Sequence, residues 1–202
     1  MFPHLTRRGL QRDQDSRLRA ATPEDARAMT RLINIAGEGL PLHFWGMLAQ
    51  TGEDPWAVGE HRARREEGSF SWRNAQVIEA GDSVASLLMT YPIGNDPEPV
   101  TDDTPTIFRP LAELENLALG TFYVNVLATE AAHRGKGYGS RLLRKAEEMA
   151  NGRRLSIIVS DGNETAYRLY RNHGYVTIAQ RPIVTTEEWR CGGENWVLMR
   201  TL

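Results

Sequence analysis

Cysteine is nearly absent from this chain of 202 residues, and the single Cys191 can form neither an internal disulfide nor a cysteine-rich zinc site. The five histidines are scattered without the short spacing typical of metal ligands, so we expect no bound metal. No apolar run approaches the ~18 residues that a membrane-spanning helix needs. Neither sign of charge dominates, because 24 Lys and Arg oppose 26 Asp and Glu, and the net charge of −2 gives no general attraction to nucleic acid. We therefore expect a cytoplasmic protein that binds neither membranes nor nucleic acid.

The length and composition are those of one globular domain. A chain of this size buries roughly 70% of the surface that its unfolded state exposes, which is enough for a core without disulfides. Residues 1–16 contain three arginines but lack the apolar segment and the cleavage site of a secretory signal. We expect 1–16 to form a flexible N-terminal arm and 17–202 to form a single domain.

Predicted strands and helices alternate along the chain. The central strand–helix–strand–helix–strand order implies one parallel pair, whereas the hairpin signal Gly81-Asp82 and the last strands imply antiparallel neighbours. We expect an α+β fold of three layers, with helices on both faces of a mixed, mostly antiparallel sheet. The mixed-charge stretch 62–67 is interpreted as a solvated helix face. Strands are predicted at about 17–21, 70–80, 83–91, 121–128, 155–160, 175–180 and 195–201, and helices from Thr22 to Gly37 and over 42–50, 55–68, 108–118, 137–150 and 163–173.

Residues 134–140, RGKGYGS, carry the most informative pattern. They follow a predicted strand and open a helix, where free N–H groups and the helix dipole favour an anion. The alternate glycines let the backbone approach a ligand closely, and Arg134 and Lys136 add positive charge. The pattern predicts a pyrophosphate site, and the alternative is a glycine-rich turn with two basic side chains in solvent.

Two common phosphate-binding loops do not fit these residues. The chain lacks the G-x-x-x-x-G-K-[ST] of a Walker A loop, and a Rossmann loop needs G-x-G-x-x-G directly after the strand. Here the spacing is G-x-G-x-G, and residues 129–134 separate it from the strand. Asp161 lies where a ribose-binding acid would be expected, so a dinucleotide site remains an alternative.

The segment from Arg134 to Gly139 resembles the R-x-x-G-x-G/A element of the GNAT N-acetyltransferase superfamily, which binds the pyrophosphate of acetyl-CoA. After one further strand, residues 163–175 (NETAYRLYRNHGY) are similar to that family's N-x-x-A-x-x-L-Y-x-x-x-G-[FY]. Both elements in this order are far more specific than either alone. The resemblance implies a GNAT-like fold, acetyl-CoA as co-substrate and direct transfer of its acetyl group to a primary amine. It assigns acetyl-CoA binding to Leu127, Ala128 and Thr129 at the end of the strand, to Arg134, Gly135, Lys136, Gly137, Tyr138, Gly139 and Ser140 in the loop, and to Asn163.

The same resemblance implies that Tyr170 is the general acid that protonates the leaving CoA thiolate. Asn163, Tyr167 and Tyr170 are spaced i, i+4, i+7, so we expect them to share a helix face and point into one groove, and the alternative for Tyr170 is a core aromatic residue. The strand before the loop has no carboxylate to deprotonate the amine. Glu113 and Glu115 lie just upstream, and we name Glu115 as the candidate base; the alternative is that both are solvated helix acids.

The acceptor side should be built from residues 37–68, with Trp45, Trp56 and His43, and from the loop 92–106. These residues do not indicate whether the acceptor is a polyamine, an amino acid, an aminoglycoside or a protein amino group. Acetyl-CoA and an amine are the expected partners, and a homodimer remains open. A non-catalytic acyl-CoA-binding or sensor domain is the alternative function, because such a domain would keep the glycine loop.

Overall fold

The structure, a computed structural model, describes residues 16–202. The predicted N-terminal arm lies outside the described residues except for Ser16, which begins the first strand. The strands are β1 (Ser16–Ala20), β2 (Ala75–Ala80), β3 (Ser83–Pro92), β4 (Phe122–Thr129), β5 (Leu155–Ser160), β6 (Tyr175–Pro182) and β7 (Asn195–Thr201). The α-helices are α1 (Ala26–Ala36), α2 (Leu40–Leu48), α3 (Pro55–Ala63), α4 (Arg109–Glu115), α5 (Tyr138–Ala150) and α6 (Glu164–Asn172).

Within the described residues, the strands form one sheet in the order β1-β2-β3-β4-β5-β7-β6. Every neighbouring pair is antiparallel except β4 and β5, which are parallel. The hairpin between β2 and β3 turns at Gly81, whose φ of +60° is in the left-handed region that glycine adopts readily. The predicted mixed, mostly antiparallel sheet with one parallel pair is confirmed.

A gap opens in the middle of this sheet between β4 and β5. The two strands pair only at Phe122 with Leu155 and at Tyr123 with Ser156. Beyond Tyr123, β4 pairs with β3 alone, and its extra residue Asn125 forms a β-bulge in that pairing. Most of β4 therefore borders an opening rather than a neighbouring strand, and this opening positions the candidate site.

Helices cover both faces of the sheet, as expected. Helices α5 and α6 pack on one face, where Leu142 and Leu143 of α5 are fully buried. Helix α1 packs on the opposite face through Leu32 and Ile33. Residues 85–90 of β3 are all buried because helices cover both faces of this strand.

Two predicted boundaries are wrong, although the bounds of β5 and β7 match their predictions. Helix α3 ends at Ala63, well before the predicted Gly68. Strand β2 begins at Ala75, several residues after its predicted start. The chain between them forms turns and a short 3₁₀ helix, Trp72–Asn74, whose first turn is capped by the Ser71 hydroxyl. The aromatic residues Phe70 and Trp72 favour a strand, but the hydrogen bond from the backbone to the Ser71 hydroxyl stabilises a turn here instead.

Candidate active site

The glycine-rich loop has a backbone conformation that glycine adopts readily. Gly135 and Gly137 have φ angles of +76° and +81°, where other L-residues are strained. A side chain at either position would meet nothing within 4 Å, so this surface of the loop is open. Gly137 is the N-cap of α5, a helix of 13 residues, and the first N–H groups of a helix have no intrahelical acceptor. The loop thus directs N–H donors and the positive end of a helix dipole toward one open surface.

The remaining loop residues have different roles in packing. Gly139 has no positive φ, but a Cβ atom there would lie 3.0 Å from the side chain of Leu169, so this glycine lets α5 and α6 pack closely. Tyr138 is buried, Ser140 is half-buried and Lys136 is exposed. Of the three glycines, two provide backbone conformation and one provides helix packing.

The end of β4 is held firmly on its β3 side, whereas its β5 side is open. The hydroxyl of Ser86 on β3 donates to the carbonyl of Ala128 at 2.7 Å and lies 2.8 Å from the hydroxyl of Thr129. The Nε atom of Arg134 donates to the Thr129 carbonyl at 3.3 Å, so this side chain folds back over the strand end. Among the described residues, Leu127, Ala128 and Thr129 have no strand partner on β5. This edge has the free backbone groups that an extended ligand pairs with.

Tyr170 is buried in the cluster that α5 and α6 form on the sheet, with 3% of its surface exposed. Its ring centroid lies 5.7 Å from that of Tyr175. Burial raises the pKa of Tyr170 far above its usual range, so the phenol is neutral at physiological pH. The Tyr170 hydroxyl makes no hydrogen bond to another residue that the structure describes. It is a neutral donor with no protein acceptor in residues 16–202.

The structure gives Asn163, Tyr167 and Tyr170 separate surroundings instead of the expected common groove. Asn163 precedes α6 as its N-cap, and its side-chain oxygen accepts from the N–H of Ala166 at 3.2 Å. The Tyr167 hydroxyl lies 2.7 Å from the hydroxyl of Thr177 on β6. The i, i+4, i+7 spacing assumes that all three residues are helical, and Asn163 lies outside the helix.

A cavity of about 530 Å³ lies on the α1 face of the sheet, against the gap between β4 and β5. Asn125 and Val126 on β4 and Ile158 on β5 line it, beyond the point where these strands separate. Its volume is within the ~300–1,000 Å³ that small-molecule sites span. A third of its 21 lining residues are aromatic, namely Phe44, Trp45, Phe70, Tyr91, Phe108, Tyr123 and Trp196.

Glu115 lines this cavity, whereas Glu113 lies outside it. Glu113 is exposed and pairs with Arg181 at 2.6 Å. The pKa of Glu115 is raised to about 7, first by burial and then by the negative charge of Glu98, while an interaction with Tyr123 lowers it. A carboxyl group with this pKa changes its protonation near neutral pH, as a general base requires.

Two tyrosines form the wall beside Glu115. Tyr91 on β3 and Tyr123 on β4 are cross-strand partners, and their ring centroids lie 5.6 Å apart in an edge-to-face arrangement. The Tyr123 side chain interacts electrostatically with the side chains of Glu115 and Asn125. Burial raises the pKa of both tyrosines above the usual range, so both are neutral donors. Sequence reasoning missed them because aromatic residues in a buried strand are indistinguishable from core residues.

The interpretation of residues 62–67 as a solvated face is wrong for two of them. Arg62 and Arg65 are half-buried and line the cavity. The guanidinium of Arg62 lies 5.3 Å from the ring centroid of Phe44. Arg64, between them, pairs with Glu60 at 2.7 Å instead. Helical spacing could not predict this pair, because α3 ends at Ala63 and Arg65 lies beyond it.

Glu38, between α1 and α2, was also missed. Its φ of +52° is rare for a residue other than glycine, and such conformations concentrate at functional sites. Its carbonyl accepts from the indole N–H of Trp189 at 3.0 Å. Burial raises the pKa of its half-buried carboxyl group, while interactions with Asn163 and Ser160 lower it. Its flanking glycines were interpreted only as the end of a helix.

The other residues predicted for the acceptor side divide into two groups. Trp45 lines the cavity, whereas His43 lies 3.7 Å from Glu188 and Trp56 borders a separate depression. Loop 92–106 contributes no lining residue, and it acts on the site through the charge of Glu98. Among residues 16–202, no group of three or more His, Cys, Asp and Glu side chains is placed to hold a metal ion. No helix in this part of the chain is long and apolar enough to cross a membrane.

Residues 54–175 match the Acetyltransferase (GNAT) family. This stretch is more than half of the chain and contains β4, the glycine loop, β5 and α6, so the chain belongs to the GNAT acetyltransferase family. Membership supports acyl transfer as the general activity. An uncharacterized protein of Mycobacterium leprae (strain TN) is 33% identical over 82 residues, which are 41% of this chain and 23% of that protein. The match thus spans about a quarter of that relative's length.

Solved structures of acetyltransferases share the fold. An N-acetyltransferase from Staphylococcus aureus Mu50 has a TM-score of 0.64 at 17% identity, covering 92% of this chain and 100% of that chain. Arylalkylamine N-acetyltransferase 2 from Aedes aegypti has a TM-score of 0.60 at 13% identity, covering 94% of this chain and 99% of that chain. An acetyltransferase of the GNAT family from Streptococcus pneumoniae has a TM-score of 0.52 at 19% identity, covering 93% of this chain and 99% of that chain. At such low identities the similarity concerns the fold alone, and it confirms the predicted GNAT-like architecture.

Proposed function

We propose that this chain transfers the acetyl group of acetyl-CoA directly to a primary amine. In the net reaction, the ammonium form of the amine and acetyl-CoA give the amide, the free CoA thiol and one proton. The observation that carries the proposal is the position of Glu115. Its carboxyl group, with a pKa of about 7, lines a cavity at the gap between β4 and β5, and a short 3₁₀ helix connects β4 to the glycine loop.

We place the pyrophosphate of acetyl-CoA at residues 135–140 and its pantetheine arm along residues 127–129. The left-handed glycines, the open space around them and the start of α5 support the first assignment. The unpaired β5 side of β4 supports the second. Arg134 and Lys136 supply positive charge beside the loop, and Asn163 lies at the start of α6.

We assign Glu115 as the general base. An alkyl ammonium in water has a pKa of about 10.4, and an apolar cavity lowers it because burial disfavours the charged form. Burial raises the pKa of the Glu115 carboxyl group to about 7. The cavity thus brings the two pKa values closer together, so proton transfer from ammonium to carboxylate becomes less unfavourable. We assign to Tyr123, which interacts with this carboxyl group, the role of orienting it.

We assign Tyr170 to the leaving group. As the amine nitrogen attacks the carbonyl carbon, the C–N bond forms, the C–S bond breaks and negative charge develops on sulfur. The neutral Tyr170 hydroxyl donates to that sulfur as general acid. A free thiol has a pKa of about 8.5, below that of the buried phenol, so hydrogen bonding to the forming thiolate contributes more than complete proton transfer.

We treat residues 17–202 as one catalytic domain in the cytoplasm. The lining of the cavity extends from Ile33 on α1 to Trp196 on β7, so removal of either end of this range would open the site. A single cysteine suits a reducing compartment.

Turnover tests this proposal. The purified protein is incubated with acetyl-CoA and a panel of primary amines, and free thiol and acetylated product are measured in the same samples. We expect one thiol for each acetylated amine. A non-catalytic acyl-CoA-binding domain would bind acetyl-CoA in calorimetry and release no thiol above the buffer rate, and that result would contradict the proposal.

A further inference from the structure

The charges of the two arginines in the cavity are not neutralised within residues 16–202. Neither Arg62 nor Arg65 has an acidic partner among the residues that the structure describes. Nearby acids are paired elsewhere, Glu60 with Arg64 and Glu66 with Arg73. Half-buried charges of one sign, placed side by side, destabilise a protein unless something compensates them.

A line of contacts leads from these arginines to Glu115. The Arg65 Nε atom donates to the Arg62 carbonyl at 3.2 Å, and the chain continues from Arg65 to Ser69, which also lines the cavity. The Ser69 side chain interacts electrostatically with the Tyr91 hydroxyl. Tyr91 packs edge-to-face on Tyr123, which in turn interacts with Glu115. Two tyrosine rings therefore lie between the basic pair and the acid along this line of contacts.

The two ends of this line of contacts, the arginine pair and Glu115, are electrostatically separate. The charge that acts on Glu115 is that of Glu98, and the charge that acts on Arg62 is that of Arg65. No arginine acts on Glu115, so the basic pair does not neutralise the acid. Two opposite charges at the ends of one apolar cavity match a ligand that carries the complementary charges at its own two ends.

We infer that the acceptor is a small primary amine whose apolar or aromatic body carries a carboxylate at the end remote from the amine, and that Arg62 and Arg65 bind this carboxylate. The inference rests on the proposed function, because it assigns the amine to the Glu115 end. The planar guanidinium group forms two parallel hydrogen bonds with a carboxylate, which makes arginine the preferred residue for this group. The aromatic walls, with Phe44 beneath Arg62, suit the body of such a molecule.

The test compares three acceptors with related bodies. These are 2-phenylethylamine, 4-(2-aminoethyl)benzoate, which adds a remote carboxylate, and phenylalanine, whose carboxylate lies beside the amine. Because charge-assisted pairs change affinity by roughly 10–100-fold, we expect kcat/KM for 4-(2-aminoethyl)benzoate to exceed that of the other two by about this factor. Equal or greater kcat/KM for 2-phenylethylamine or phenylalanine would overturn the inference while leaving N-acetylation intact. Absence of thiol release with all three, and with the wider amine panel, would overturn the proposed function and the inference with it.

Substitutions assign the effect to the two arginines. Arg65→Gln and Arg62→Gln should each reduce the preference for the carboxylated amine, measured as the ratio of its kcat/KM to that of 2-phenylethylamine, by roughly 10-fold or more. Arg64→Gln is the matched control, because it removes the same charge from a side chain paired outside the cavity, and the preference should persist. Equal losses for both amines in Arg62→Gln and Arg65→Gln would overturn the assignment. Thermal melts of each variant check the packing of Arg62 on Phe44, and the wild-type comparison of acceptors stands without any variant.

Discussion

The two sides of the candidate active site differ in what forms them. The acetyl-CoA side consists mainly of backbone, with left-handed glycines at 135 and 137 and an unpaired edge of β4. The acceptor side consists of side chains from elements far apart in the sequence, from Ile33 to Trp196. Binding by backbone groups depends on the local conformation and tolerates most changes of side chain. Binding by side chains depends on each lining residue, so a single substitution can alter which ligand is preferred. Substitutions on the two sides should therefore have different effects on binding and turnover.

The largest effect is expected at Tyr170, the proposed general acid. Tyr170→Phe keeps the ring in its cluster and removes only the hydroxyl, and general acid catalysis typically contributes ~10²–10⁴-fold. We expect kcat to fall by about that factor, with a much smaller change in KM for acetyl-CoA. Steady-state kinetics with any accepted amine provides the measurement.

Tyr175→Phe is the control for this prediction. Tyr175 is a buried neighbour, and its hydroxyl has no hydrogen-bond partner among the described residues. Its kcat should stay near that of the wild type. If Tyr170→Phe also keeps wild-type kcat, or loses several kcal/mol of stability, Tyr170 is a core residue and the acid is another group.

The next effect concerns the backbone side. Gly137→Asp places a negative charge where we place the pyrophosphate, and it strains a residue with φ of +81°. Calorimetry should show affinity for acetyl-CoA reduced by roughly 10–100-fold or more. Gly152→Asp is the control, because it introduces the same charge and the same backbone strain away from the loop. Gly152 has φ of +82° and open surroundings, and it follows the C-terminal end of α5. Equal affinities in the two variants would mean that the loop is a structural turn.

The smallest effect is a change in stability at Glu115. The carboxyl group has a pKa of about 7 in the folded chain and near 4.5 when unfolded, so the folded state holds its proton more tightly. Ionisation therefore costs stability progressively as pH rises from about 4.5 to 7, and the full cost applies above 7. Glu115→Gln should be more stable than the wild type by roughly 1–3 kcal/mol at pH 8, with no gain near pH 4.

Thermal or urea unfolding across this pH range provides the measurement. Glu113→Gln is the control, since Glu113 is exposed and paired with Arg181. An exposed ion pair contributes ~0–1 kcal/mol, and its loss gives no stabilisation at high pH. A gap between Glu115→Gln and wild type that stays constant with pH would show that Glu115 is not a buried acid of raised pKa.

The same difference between the sides explains how far the sequence predicts the site. The loop could be predicted because its glycines and the following helix lie within a few residues, and local sequence determines local backbone conformation. The cavity could not, because Arg65, Tyr91 and Glu115 come from separate elements that only the folded sheet brings together. Each of these residues is ordinary in its own segment. The choice between Glu113 and Glu115 illustrates the limit, since two positions on nearly opposite sides of one short helix place one in solvent and the other in the cavity.

The fold itself was largely predictable for a similar reason. Alternation, capping residues and the Gly81 turn fix strands and helices locally, and the order of elements then restricts the sheet. The gap between β4 and β5 was not predictable from these patterns, because it depends on where two distant strands stop pairing.

The most direct test of the account is the pH dependence of kcat/KM in wild type and Glu115→Gln, with Glu113→Gln as the matched control. The base must be ionised to accept a proton, so wild-type kcat/KM should rise with pH and level off above an apparent pKa of about 7. Glu115→Gln should lose this step and fall by roughly 10²–10⁴-fold on the plateau, while Glu113→Gln follows the wild type. A profile of Glu115→Gln that keeps both the step and the wild-type plateau would contradict the account, because the cavity would then contain no base.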